Sequence, residues 1–395
     1  MQQTVPAHVP PHLVTAFDYH DQPGDGPDPH AAWMRLQDGP DIIWSPEHGG
    51  HWILTRGAPI RDALTRHEVF SSRQASIPAT PRPFRLSPIE QDPPDHPRIK
   101  AMSIGEFAPA RIQLMADEIR AHSHALIDGF IDRGACEFVN DYALRLPIDM
   151  FMRMAGLPGE DRDMLLGLMH DKMHVPSMEK QAEAARALVA YSRKMLEIRL
   201  ATPGDDLISA IIAEGRQREA TRDELLGYIF LLWTAGLDTV SSSMGFMARF
   251  LAEHAGHRRQ LVAEPALIPN AVQELLRRFG VSTPSRILAQ DVEFHGVPMR
   301  TGDMVLVPVS LYGLDERVFP NPLEVDFRRG DAAMSMVFGT GIHRCIGSFL
   351  ARLELRIFLE TWLERIPEFR IGEGSLPRGR AGVINSMLHL PLAWD

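Results

Sequence analysis

Apolar residues in this chain recur mostly three or four positions apart, or at multiples of that spacing, and only a few short stretches carry a strand-like pattern. From residue 109 to about 195 the series Ile112, Met115, Ile119, Leu126 and Phe130 opens a largely helical region. Pro147 suits the first turn of a further helix with Ile148, Phe151 and Ala155, and Gly156 to Gly159 interrupts it. Thr221 and Glu224 stand in capping-box order before the longest apolar run, residues 225 to about 252. Residues 348–362 predict an amphipathic helix and residues 58–66 a short one; residues 51–55, 292–297 and 304–309 predict strands. Prolines between Pro78 and Pro97 forbid a long regular element, so an irregular surface loop is expected there, of a length that often forms a lid or binding segment. The fold class is therefore mainly α with a small β portion, expected as one domain over residues 1–395, with residues 1–15 flexible.

The run 225–252 is apolar enough to suggest a membrane span. However, Asp238, Thr239 and Ser241 to Ser243 fall in its middle, where polar groups are expensive in lipid, so a helix through the centre of a large core fits better. Gly236 inside it costs about 1 kcal/mol relative to alanine, which close approach of a flat ligand would explain. Thr239 can bond the carbonyl one turn back, and Asp238 is an ionisable group in an apolar segment, the material of a proton relay.

Charge narrows the function classes. With 41 basic and 51 acidic residues the net charge is −10, which argues against general binding to nucleic acid or an anionic membrane. Two cysteines in 395 residues suggest a reducing compartment. The first 28 residues lack a basic start followed by an apolar core, so neither a signal peptide nor an anchor is expected, and the protein is expected in the cytoplasm as a monomer.

The candidate chemistry converges on residues 336–354. Cys345 follows a loop containing Gly339 and Gly341 and precedes a helix, whose positive end and backbone N–H groups can keep a sulfur anionic and offer it to a metal. A dinucleotide loop would need glycine where Arg344 stands, and a phosphate loop would need a Gly-Lys-Ser/Thr ending. Zinc would call for several Cys or His at short spacing, and Cys136 is far upstream. A lone cysteine is more often an inert core residue. The pattern Phe338-Gly339-x-Gly341-x-His343-x-Cys345-x-Gly347 changes that balance, because it resembles the haem-binding signature of the cytochrome P450 superfamily of haem-thiolate monooxygenases.

The resemblance implies haem b between the Thr239 helix and the Cys345 loop, with Cys345 as the axial iron ligand. It implies that Phe338, Gly339, His343 and Gly236 lie against the haem, and that His96, Lys100 and Arg286 stand where the family binds the haem propionates. Lys100 replaces the family's arginine there, a point charge in place of a bidentate fork. Ala235 to Thr239 resembles the oxygen-activation motif, which assigns proton delivery to Asp238 and Thr239. Glu274 and Arg277 resemble the pair that supports the haem loop; the family's third partner, an Arg or His after Phe319, aligns with Glu324 here.

Within the superfamily the bacterial camphor 5-monooxygenase subgroup is the nearest resemblance, through segments such as Ala155 to Pro158, Gly236 to Val240, Gly313 to Arg317 and Leu390 to Trp394. It implies a [2Fe-2S] ferredoxin supplied by an NADH-dependent reductase, and Arg98, Lys100, Arg344 and Arg352 are candidates for a basic docking patch. The tyrosine that bonds camphor's ketone aligns with Phe84, and the other matching pocket positions are His174, Leu231, Thr234, Ser282, Val383 and Ile384. Losing that hydroxyl removes roughly 1 kcal/mol of orientation, which points to another small apolar terpenoid or norisoprenoid ketone, such as an ionone, with His174 as a candidate polar contact. Two alternatives are a peroxygenase, which tends to lack the Asp238-Thr239 type of pair, and a non-catalytic haem sensor.

Overall fold

The computed structural model describes residues 5–20, 29–79, 82–175, 177–236 and 238–395, with the side chains of residues 173, 174 and 178 outside that description. Helices dominate, and two apolar cores divide the chain. The larger joins the long helices Met178–Ala201, Arg222–Gly236, Asp238–Glu253, Ile268–Arg278 and Ser348–Arg365. The smaller surrounds a five-stranded mixed sheet in the order Ile42–Ser45, His51–Leu54, Met304–Leu306, Ser285–Leu288, Phe70–Ser71. Amino-terminal residues expected as a flexible tail pack on this sheet instead: Leu13 is buried and Val14 bridges to Trp44.

The capping box forms in both directions. The Glu224 amide donates to Thr221 Oγ1 at 3.2 Å and the Thr221 amide to Glu224 Oε2 at 2.8 Å, which satisfies donors that the first helical turn leaves open. The run it opens is helical over Arg222–Gly236 and again over Asp238–Glu253. The stretch expected as one strand at residues 292–297 is a hairpin, Val292–Phe294 with Val297–Met299, because His295 and Gly296 both take positive φ, 49° and 79°, and make a tight turn. Ala135–Glu137, read within the helical region, is a strand that pairs with Pro391–Ala393.

The sheet positions Arg286, which lies opposite Val305 on a strand between two others. The Ile268–Arg278 helix supplies a buried ion pair, in which Arg277 grips Glu274 through Nε at 2.7 Å and Nη2 at 2.8 Å with both side chains fully enclosed. Its third partner is Arg329, whose Nε meets Glu274 Oε1 at 3.0 Å; Glu324 contributes only its backbone carbonyl to Arg277, at 3.1 Å. Arg277 also bonds the carbonyls of Gly313 and Pro322, so this cluster pins the segment that leads into the cysteine loop.

Removing the acid would strand two guanidinium charges. Glu274→Ala is expected to cost roughly 3–5 kcal/mol, while Arg329→Ala costs less because Arg277 still neutralises the carboxylate. Thermal unfolding of the two variants checks this ordering, and equal losses would contradict it.

Candidate active site

Cys345 is held by the backbone around it. Its amide donates to Phe338 O at 2.8 Å, and the Gly339 amide to Met336 O at 2.8 Å, closing the loop on itself. Gly341 has φ 67°, and a Cβ there would lie 2.7 Å from Leu64 O, so glycine is what lets the loop press on the Gly57–Thr65 helix. The sulfur is accessible yet surrounded by the chain, just before the Ser348–Arg365 helix. Burial pushes the thiol pKa up, while the Gly347 amide and the charges of Lys100, Arg352 and Arg344 pull it down. A metal ion would complete the deprotonation. Arg352 sits over the Phe338 ring at 4.2 Å, bonding Gln273 at 3.1 Å and Ser348 O at 3.2 Å.

Beside the loop lies a group of donors without acceptors. The rings of His96 and His343 are 4.2 Å apart, and His96 Nδ1 and His343 Nε2 are buried with no hydrogen-bond partner. Arg286 is buried, and its one hydrogen bond among the described residues runs from Nη1 to Ser285 O at 2.7 Å. Burial brings its pKa to about 10, against the pull of Asp92. Burial also brings His96 down to about 4, helped by the Lys100 charge, and lowers His343 further still, helped by Arg286 and His96. Asp92 is already engaged with Ser71 Oγ at 2.5 Å, the Ser72 amide at 3.0 Å and Arg73 at 3.3 Å. Enclosed cationic and N–H groups of this kind are costly unless an anion completes them. The two carboxylates of a haem fit that requirement, and the sulfur fits its iron. Lys100 is drawn to the loop, with Nζ 2.5 Å from Ile342 O and 2.9 Å from Arg344 O, which leaves one N–H for a carboxylate.

Ala235 and Gly236 are exposed although they lie in the longest apolar stretch, and a Cβ on Gly236 would meet nothing within 4 Å. The backbone there borders open space of the kind a flat ligand requires. Thr239 Oγ1 donates to Ala235 O at 3.1 Å and Ser243 Oγ to Thr239 O at 2.8 Å, each hydroxyl bonding the carbonyl one turn back. Asp238 is buried; Ser386 Oγ donates to its Oδ2 at 3.3 Å from a separate strand, and it interacts electrostatically with half-buried Lys172. Lys172 falls to about 8 through burial, with Arg82 adding to the fall and Asp238 opposing it.

The expected pocket residues come together in two groups. Phe84 is buried edge-on to Phe230 at 5.8 Å and close to Gly227, on the same helix as Leu231 and Thr234. Ser282 bridges to Ile384, and the Thr283 amide bonds Val383 O at 2.8 Å. Ser386, two residues on, ties this second group to Asp238. Thr234 Oγ1 is occupied by Leu231 O at 3.1 Å. The side chain of His174 lies outside the described residues. Sequence reasoning missed Ser386, Lys172, Arg329 and Glu354. The last is fully enclosed on the helix that starts at the sulfur, and burial raises its carboxyl to about 8.

Comparison with known proteins agrees with this geometry. The family model for Cytochrome P450 matches residues 160–367. A protein described as probable cytochrome P450 127A1, from Sinorhizobium fredii, is 35% identical over 99% of this chain and 97% of its own length. A vitamin D(3) 25-hydroxylase from Pseudonocardia autotrophica is 30% identical, covering 88% of each chain. The crystal structure of cytochrome P450 CYP101C1 superposes with a TM-score of 0.91 at 35% identity, over 99% of this chain and all of that one; CYP101J2 does so at 0.88 and 31%, over 99% of both.

Glu354 carries a pH signature. A carboxyl raised from 4.5 to about 8 keeps its proton in the folded state and loses it in the unfolded chain, so its contribution to stability falls as pH rises between those values. Glu354→Gln is therefore expected to unfold at a temperature that gains on the wild type from pH about 5 to about 8. Parallel melting profiles across that window would show that the buried carboxyl is not protonated.

Proposed function

The chain belongs to the cytochrome P450 family and is a haem-dependent monooxygenase, and on that premise we propose that it hydroxylates a compact apolar terpenoid or norisoprenoid ketone, of ionone or camphor type, with electrons from a [2Fe-2S] ferredoxin reduced through an NADH-dependent reductase. When bound, the haem supplies dioxygen activation, in which one oxygen atom enters a substrate C–H bond and the other leaves as water.

In this reading Cys345 is the iron ligand, and His96, His343, Arg286 and the remaining N–H of Lys100 hold the carboxylates. Phe338, Gly339 and Gly236 bring the chain close to the flat ring. Asp238 passes protons inward and Thr239 presents them at the open side of the helix. The observation that carries the reading is the buried Asp238 beside Thr239 in the middle of the longest apolar stretch. A peroxygenase has no use for such a pair, and a sensor has no use for proton delivery.

The substrate class rests on the pocket wall. Phe84 places a ring edge where a hydroxyl would orient a ketone, and Thr234 is already bonded to the backbone. Ser282, for which no side-chain partner is found among the described residues, stands beside Ile384 and supplies a polar contact there.

For the ferredoxin, three of the four candidate cations have other work. Arg98 pairs with Glu224 at 2.6 Å, Lys100 bonds the loop carbonyls and Arg352 bonds Gln273. Arg344 is exposed with no side-chain partner among the described residues, next to the ligand itself, and so supports docking of an acidic donor there. The apolar stretch at residues 222–253 is long enough to cross a membrane by composition, but it packs mostly within the fold, which supports a cytoplasmic enzyme.

Ionone-type ketones are expected to shift the haem spin state more completely than camphor, and Phe84→Tyr to narrow that gap by roughly 1 kcal/mol, about five-fold in affinity. Titrations of both ligands against both proteins check this; a full camphor shift in the wild type would contradict it. Arg344→Glu is expected to weaken the ferredoxin's apparent affinity roughly three-fold or more, increasingly so at low salt, with NADH-driven turnover as the readout. An unchanged salt dependence would place the donor elsewhere.

A further inference from the structure

We propose that Lys100 is a positioning residue for the cysteine ligand, a strut that fixes the peptide groups entering His343 and Cys345 and restrains the electron donation of the sulfur. This rests on the haem-thiolate reading of the site and adds to Lys100 a role besides carboxylate contact.

The geometry is specific to the loop. Lys100 is the last residue of the short helix Asp95–Lys100, and its Nζ reaches both Ile342 O and Arg344 O, carbonyls that the loop's own hydrogen bonds leave open. The Arg344 carbonyl belongs to the same peptide unit as the Cys345 amide, whose N–H bonds Phe338 O at 2.8 Å. A cation on that carbonyl polarises the unit and strengthens the N–H bond at its other end, so the segment entering the ligand is held from two directions. The ammonium is also close enough to act on the sulfur electrostatically, and the other cations doing so are Arg344 and Arg352. Arg344 is exposed, where solvent screens it, while Arg352 is held by Gln273 and Ser348 O. Lys100 is thus the member of the three that combines partial burial with a direct bond to the peptide unit that enters the ligand.

The residue type matters. A compact ammonium with three divergent N–H groups can bond two carbonyls at once and keep a third donor, whereas a planar guanidinium is shaped for one paired acceptor. An arginine at this position suits a carboxylate; a lysine suits the two carbonyls found here.

Lys100→Met, Lys100→Gln and Lys100→Arg holoenzymes test the proposal through three readouts: the iron–sulfur stretching frequency, the ferric–ferrous reduction potential, and the rate at which the reduced CO complex loses its thiolate-type absorption on warming. Lys100→Met and the milder Lys100→Gln are expected to raise the stretching frequency, make the potential more negative, and speed the loss on the order of tenfold, the equivalent of one charge-assisted hydrogen bond. Lys100→Arg is expected to restore the potential, which follows charge, and to leave the loss fast, since it follows the two carbonyl bonds. An unchanged iron–sulfur frequency and loss rate in both neutral variants, with faster haem dissociation, would overturn the proposal and make Lys100 a carboxylate contact alone. A wild-type protein without thiolate-type absorption would instead overturn the ligand assignment, and this inference with it.

Discussion

With Cys345 as the proposed iron ligand, the constraint on which the molecule depends is the need to keep one sulfur anionic inside protein. Burial works against that charge, and the chain answers with the Gly347 amide, the start of the Ser348–Arg365 helix and the positive side chains of Lys100, Arg344 and Arg352. Each of these needs the loop in one conformation, which explains why so much of the surrounding structure is directed at the loop. Gly341 lets it lie on the Gly57–Thr65 helix, and the Glu274, Arg277 and Arg329 cluster holds the chain upstream.

Around this sulfur the fold arranges complementary deficits. His96, His343 and Arg286 are donors in want of an acceptor, and the backbone at Gly236 borders space without a neighbour. They come from unlike elements: a short helix, a loop, a strand and the central helix. In the proposed reading a bound haem would answer all of them together, with Cys345 to hold the iron, His96, His343 and Arg286 to hold the carboxylates and Gly236 to admit the flat ring. Asp238, the proposed acid of the proton pair, is in turn tied through Ser386 to the strand Ser386–His389, which follows the proposed pocket residues Val383 and Ile384.

Much of this was legible in the sequence because it depends on local spacing. The capping box at Thr221 and Glu224 and the long helices are patterns within one element and form as expected, and the Phe338 to Gly347 signature is a pattern within one loop that closes through its own backbone. What was not legible depends on residues far apart in the chain. Arg329 reaches Glu274 although Glu324 occupies the aligned position, because a long side chain five residues on can fill the same place. Lys100 turns to carbonyls 242 and 244 residues away, a contact that no spacing encodes. The strand Ala135–Glu137 has no partner until Pro391–Ala393 arrives, and the hairpin turn at His295 and Gly296 was hidden by the apolar residues that flank it.

The most direct measurement is the absorption spectrum of the reduced, CO-treated protein. An anionic sulfur from Cys345 on the iron predicts the strongly red-shifted Soret band of a thiolate-ligated complex, lost in Cys345→Ala. A band at the position of an imidazole-ligated haem, a spectrum unchanged in Cys345→Ala, or a purified protein without porphyrin would contradict the assignment.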